Sequence, residues 1–139
     1  MGLTFHIPIE PLSVNKLYCN IYGQSRRFIS KDGKEFKSKV STLIRDEIVT
    51  NNLTINISEF SNKKLWVFFD IGLSSWLLKD GKTIRKKDLD NMSKALQDCL
   101  FSVLAEFCTD IDDCQIWELS LRKTVTTSPM THIIIDVID

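Results

Sequence analysis

Residues 84–115 read IRKKDLDNMSKALQDCLFSVLAEFCTDIDDCQ, and the alternation of charge and apolar surface in this stretch organises the chain. Three bases, Arg85, Lys86 and Lys87, run directly into Asp88 and Asp90. Met92, Ala95, Leu96, Cys99, Leu100, Val103, Leu104 and Phe107 then recur at helical spacing, which predicts a helix over about 91–106. A second acidic group, Asp110, Asp112 and Asp113, closes the stretch. Bases beside closely spaced carboxylates suit a hard divalent cation, which takes oxygen ligands and keeps positions open for water and phosphate. A plainer reading stands beside this one. Asp90 could cap the helix, Asp98 could pair with Lys94 at i,i+4, and Asp112–Asp113 could form a turn.

Outward from this stretch, residues 65–73 (LWVFFDIGL) alternate with Leu65, Val67, Phe69, Ile71 and Leu73 on one face. Trp66 and Phe68 make the other face apolar too, predicting a strand that is central or covered on both sides. Leu3, Phe5, Ile7 and Ile9 alternate in a first strand that ends at Pro8 and Pro11. Residues 12–30 have no clean period and are expected to form a long loop, with a short extended piece at 27–29. Ser30 or Asp32 caps a helix reaching about Asn51, with Phe36, Val40, Leu43, Ile44 and Ile48 inward. KDG at 79–81 marks a turn, and two more strands follow Asp113. The order is β-α-β-α-β-β, a single α+β domain over 1–139 with a mixed or antiparallel sheet.

Composition narrows the function. No apolar run reaches the length of a membrane span, and the first residues lack a signal-peptide profile, so a cytoplasmic location is expected. Cys19, Cys99, Cys108 and Cys114 form no C-x-x-C pair, which favours reduced, partly buried thiols over zinc. Net charge is zero, but it is segregated. Residues 16–39 carry +5, residues 79–87 carry +4 and residues 88–118 carry −7. Two basic segments around one acidic segment suit a phosphate-binding protein with an acidic metal pocket. Counting from Asp88 or Asp110 gives no EF-hand spacing, and no Walker loop, G-x-S-x-G or H-E-x-x-H pattern occurs.

The run K-K-D-L-D-N-x-x-K-x-x-x-D, here Lys86, Lys87, Asp88, Leu89, Asp90, Asn91, Lys94 and Asp98, is followed by D-D-x-x-I at Asp112, Asp113 and Ile116. This pattern closely resembles the RusA family of Holliday junction resolvases. The likeness extends to Ile7, Pro8 and Pro11 with SVNKLY at 13–18, and more weakly to SKDGKEF at 30–36. It implies a homodimeric, Mg²⁺-dependent endodeoxyribonuclease (Mn²⁺ substituting) that nicks four-way DNA junctions symmetrically in recombination and repair. It also implies Asp88, Asp90 and Asp113 as metal ligands and Lys94 beside them as an essential basic residue. Asp98 and Asp112 are additional acids. Asn15, Lys16, Arg26, Arg27, Arg85, Lys86 and Lys87 would contact DNA, and Tyr18, Tyr22 and Phe28 could stack on unpaired bases. The turn before Asp110 departs from the family's glycine-containing one, leaving the choice among Asp110, Asp112 and Asp113 open.

A helix over 91–106 is about 24 Å long, so Asp113 reaches Asp90 only by returning along it or by coming from a partner subunit. The helix is expected to break near Ser102, or the chain to double back through 108–112. A broader flap or branch nuclease and a junction-binding protein that does not cleave are the alternatives.

Overall fold

The computed structural model describes residues 2–20 and 27–139, apart from the side chains at 14, 15, 20 and 27. The main sheet is formed by β1 (Leu3–Ile7), β4 (Leu65–Leu73), β5 (Ile116–Val125) and β6 (Met130–Val137) in the order β1-β6-β4-β5. It is mixed: β6 runs antiparallel to β1 and β4, whereas β4 and β5 are parallel. Parallel neighbours need a crossover, and the helix α4 (Leu89–Phe107) supplies it.

β4 is the centre of the sheet, as its two apolar faces predict. The row Phe5, Ile133, Phe69 and Leu121 crosses all four strands in register on the helix-covered face. Phe5, Ile133 and Phe69 are fully buried there, against α4 and the long helix α2 (Lys31–Thr50). Truncating such a phenylalanine typically costs about 3–5 kcal/mol. The opposite face carries the row His6, His132, Asp70 and Arg122. The two histidines, far apart in sequence, sit edge to face with ring centroids 5.1 Å apart. β1's outer edge is occupied at His6, whose backbone N–H donates to the Glu47 carboxylate of α2. β5 is the other edge, and its register slips by one between Ile116 and Glu118. That bulge turns Trp117 outward, 65% exposed, beneath the Lys64 ammonium.

Three segments differ from expectation. Residues 12–30 contain a short helix α1 (Val14–Leu17) and an antiparallel pair, β2 (Tyr18–Asn20) with β3 (Arg27–Ile29). β3 is the short extended piece expected at 27–29, and its partner β2 is only three residues long, too short to show a period. The connector after α2 includes a single helical turn, α3 (Thr54–Ser58). Finally, α4 does not break near Ser102. It continues to Phe107 because Val103 and Leu104 are buried and Phe107 still packs on the core. The chain doubles back beyond it, with Ile111 buried as the anchor of the return.

Ser30 ties the amino-terminal segment to α2. Its hydroxyl accepts the Gly33 N–H at 2.9 Å and lies 2.8 Å from the Lys16 carbonyl. Gly33 is required at this junction, since a Cβ there would stand 2.4 Å from the Leu17 carbonyl oxygen. Ser30→Ala removes the cap and should lower unfolding free energy by about 1 kcal/mol, measured by urea denaturation.

Candidate functional site

Four residues of the hairpin-and-triplet segment that precedes α4 are pinned to the body of the protein. The Arg85 N–H donates to the Trp76 carbonyl at 2.9 Å, and the buried Trp76 indole donates to the Ile71 carbonyl at 2.8 Å. Lys123 on β5 sets its ammonium over the Trp76 ring at 4.7 Å and donates to the Lys87 carbonyl at 2.8 Å. Lys87 itself is half-buried, donating to Ser75 at 2.8 Å with Glu10 at 3.6 Å. Of the basic triplet, Lys87 therefore has a structural role, while Lys86 points to solvent and makes no ion pair among the described residues. The Arg85 Nε is shielded from solvent and has no hydrogen-bond partner among those residues.

α4 starts at Leu89, two residues earlier than its period suggested, because Leu89 packs on the core. Asp88 is consequently the extended residue before the helix and Asp90 lies on its first turn, so the two acids do not alternate along a strand. The Asp88 carboxylate does not cap the free N–H groups. Among the described residues its one partner is the Asn91 amide at 3.3 Å. Asp90 and Lys94 are exposed and, among the described residues, neither forms an ion pair or hydrogen bond through its side chain. The plain Lys94–Asp98 pairing is thus not made. The positive end of the α4 dipole favours anions here. A cleft of about 280 Å³ opens beside Asp88, with Glu10, Lys16, Lys86, Lys87 and Asn91 among its walls. It joins the proline-containing amino-terminal segment to the acidic start of α4, which are more than seventy residues apart in sequence.

The second acidic group lies elsewhere on the helix. Asp110 accepts from the Ser61 hydroxyl at 3.2 Å. Asp112 caps the following 3₁₀ turn, accepting the Cys114 N–H at 2.9 Å, while the Gln115 side chain accepts the Asp112 N–H at 2.8 Å. Asp113 is the one turned toward α4. Its carboxyl is held above the ordinary carboxylate range by a shared proton with Asp112, then by partial burial and the nearby negative charge, with Gln97 opposing the shift. Asp112 is correspondingly lowered, chiefly by the Cys114 N–H. The second cleft, of about 300 Å³, is lined by Asp98, Ser102, Asp112 and Asp113.

Asp98 lies eight residues beyond Asp90, about 12 Å along the helix axis. One chain thus brings Asp113 to Asp98 and Asp112, and keeps it from Asp88 and Asp90. Among the described residues, no three His, Cys, Asp or Glu side chains are placed to hold one metal ion. The oxygen donors at Asp88 and Asp90 fit a hard cation in kind, and among the described residues one chain places no third such acid with them.

Lys16 lines the first cleft. Asn15 and Arg27 belong to α1 and β3 by their backbones, and Arg26 and Tyr22 lie outside the described residues. Tyr18 and Phe28 are half-buried, and the Lys37 ammonium sits 5.9 Å above the Tyr18 ring. All four cysteines are free. Cys99 is buried, with its thiol pushed up to about 11 by that burial, whereas Cys19 and Cys114 are exposed. Among the described residues, no helix is long and apolar enough to cross a membrane. Sequence reasoning missed Ser75, Trp76 and Lys123, which fix the triplet. Only the fold brings them to it.

Two coupled carboxyls titrate as a pair. In carbon-detected NMR titrations, Asp113 should lose its proton above the ordinary aspartate range and Asp112 below it. Asp112→Ala should return Asp113 toward that range.

The family model described as endodeoxyribonuclease RusA matches residues 8–136 of the 139. No curated protein sequence matches the chain.

Proposed function

The chain belongs to the RusA family of endodeoxyribonucleases, and on that premise we propose that it resolves four-way DNA junctions as a Mg²⁺-dependent homodimer, by symmetric nicking. Mn²⁺ would substitute for Mg²⁺. The observation that carries this reading is the cleft at the start of α4. There Asp88, not used for capping, stands with Lys16 and Lys86, and Asp90 and Lys94 follow on the first turns of α4.

Each group has a task the chemistry requires. Asp88 and Asp90 of one protomer would hold the cation together with Asp113 of a second copy. Asp113 is the acid of its group not consumed by a cap or by Ser61. When bound, the metal supplies Lewis acidity, activating water and offsetting charge on the phosphate. Lys94 stabilises negative charge developing on the scissile phosphate. Lys16 and Lys86 bind backbone phosphates near the cut without reading sequence. A two-fold assembly would place two such sites against the two-fold symmetry of a junction.

Asp90→Asn and Asp113→Asn should each abolish nicking of a synthetic four-way junction while binding persists in gel-shift assays. Mixed and re-equilibrated, the two variants should recover nicking, because half of the sites in the mixed dimer are then wild type. Absence of recovery would eliminate the shared site. Lys94→Ala should stop cleavage with little change in melting temperature, given its exposure. Comparing four-way, three-way and linear substrates separates a resolvase from a broader branch nuclease. Raising salt from about 50 to about 200 mM should weaken junction binding by roughly 10³-fold if about six phosphates are contacted.

A further inference from the structure

The segment between β4 and α4 contains a small hairpin that the nuclease reading leaves unused. Leu77 and Ile84 form its bridge, the Leu78 N–H donates to the Thr83 carbonyl at 2.8 Å, and the Gly81 N–H donates to the Leu78 carbonyl at 2.9 Å. Gly81 takes φ +70°, a conformation that side chains rarely adopt. Asp80 accepts the backbone N–H groups of Lys82 at 2.9 Å and Thr83 at 2.8 Å, and also the Thr83 hydroxyl. At the root, Trp76 is buried and anchors Arg85 as described above. The hairpin is therefore stiff and fixed to the core.

On it, Ile84 is 75% exposed, the most exposed large hydrophobic side chain among the described residues, and Leu78 is 40% exposed. Lys79, Lys82, Arg85 and Lys86 surround these two in sequence. An exposed aliphatic pair on the hairpin's stem, flanked in sequence by cations, is poorly suited to a second copy of the same surface, because the like charges would meet. It suits nucleic acid, where the cations take phosphates and the aliphatic group takes the space between bases. Ile84 is four residues from Asp88, so their Cα atoms stand at most about 14 Å apart, roughly four base steps.

Resting on the branched-DNA reading, we propose that the 77–84 hairpin is a wedge whose Ile84 side chain inserts at the crossover, unstacks a base step and sets the preference for branched over continuous duplex. Unstacking is cheapest where a base pair already lacks a continuous neighbour. A wedge therefore selects structure rather than sequence.

The test uses the full chain and a four-way junction carrying 2-aminopurine at the crossover, without divalent metal. Wild-type protein should bind and raise the fluorescence. Ile84→Ala should bind within about twofold, since phosphate contacts position the DNA, yet leave the fluorescence low. Ile84→Phe should restore it. In Mg²⁺, Ile84→Ala should cut the paired junction at least about tenfold more slowly, with the rate recovered when two crossover nucleotides are left unpaired. Wild-type protein that binds and cuts without raising fluorescence overturns the wedge and leaves the nuclease reading standing. So does an Ile84→Ala protein that opens the junction like wild type, or one that falls apart into monomers in light scattering. Wild-type protein that neither binds nor cuts branched DNA removes both.

Discussion

The packing of α4 across β4 is the constraint on which the rest depends. A parallel pair cannot be joined by a tight turn, so β4 and β5 are spanned by a long connection. Its apolar stripe of Ala95, Leu96, Cys99, Leu100, Val103 and Leu104 is buried against the sheet. A helix so held cannot bend to bring its two acidic neighbourhoods together. Asp88 and Asp90 stay at its start, and the returning chain delivers Asp113 only as far as Asp98. This geometry is why the proposed site takes its third acid from a second protomer.

The neutrality of the chain conceals how its charge is arranged. Lys16 and Lys86 reach the same cleft as Asp88 from opposite parts of the sequence, and Lys87 and Lys123 hold that cleft's wall in place. Cations that look equivalent in a run of bases are divided by the fold into those that bear on packing and those that face outward. Carboxylates divide likewise: among the described residues, Asp110 and Asp112 are engaged locally, and the Asp90 side chain is not.

Periodic segments were legible from sequence because burial imposes the period. β4 matched its predicted bounds, and α2 its cap at Ser30 and its inward face. The second acidic group was found by type, but its placement required knowing that α4 runs to Phe107. The β2–β3 pair is local, but its three-residue strands are too short for an alternation to announce them. The rest of what sequence did not reveal depends on partners distant along the chain. The meeting of His6 with His132 follows only from β1 lying beside β6, and Trp76 reads as a loop residue until Lys123 is seen above it. The start of α4 was misplaced by two residues because Asp88 to Asp90 were read with the preceding loop, although Leu89, three residues before Met92, continues the stripe.

The two margins of the sheet are unequal. At β1 a glutamate occupies the outward backbone donor of His6, and Pro8 follows the strand directly. Proline and charge of this kind discourage further strand addition. Among the described residues, β5 offers ten residues with no strand on their outer side, interrupted by the outward indole near its beginning. Extension by hydrogen bonding is therefore one-sided. Two copies joined at that margin would use up both available edges, so the same contact that makes a closed pair also stops fibre growth.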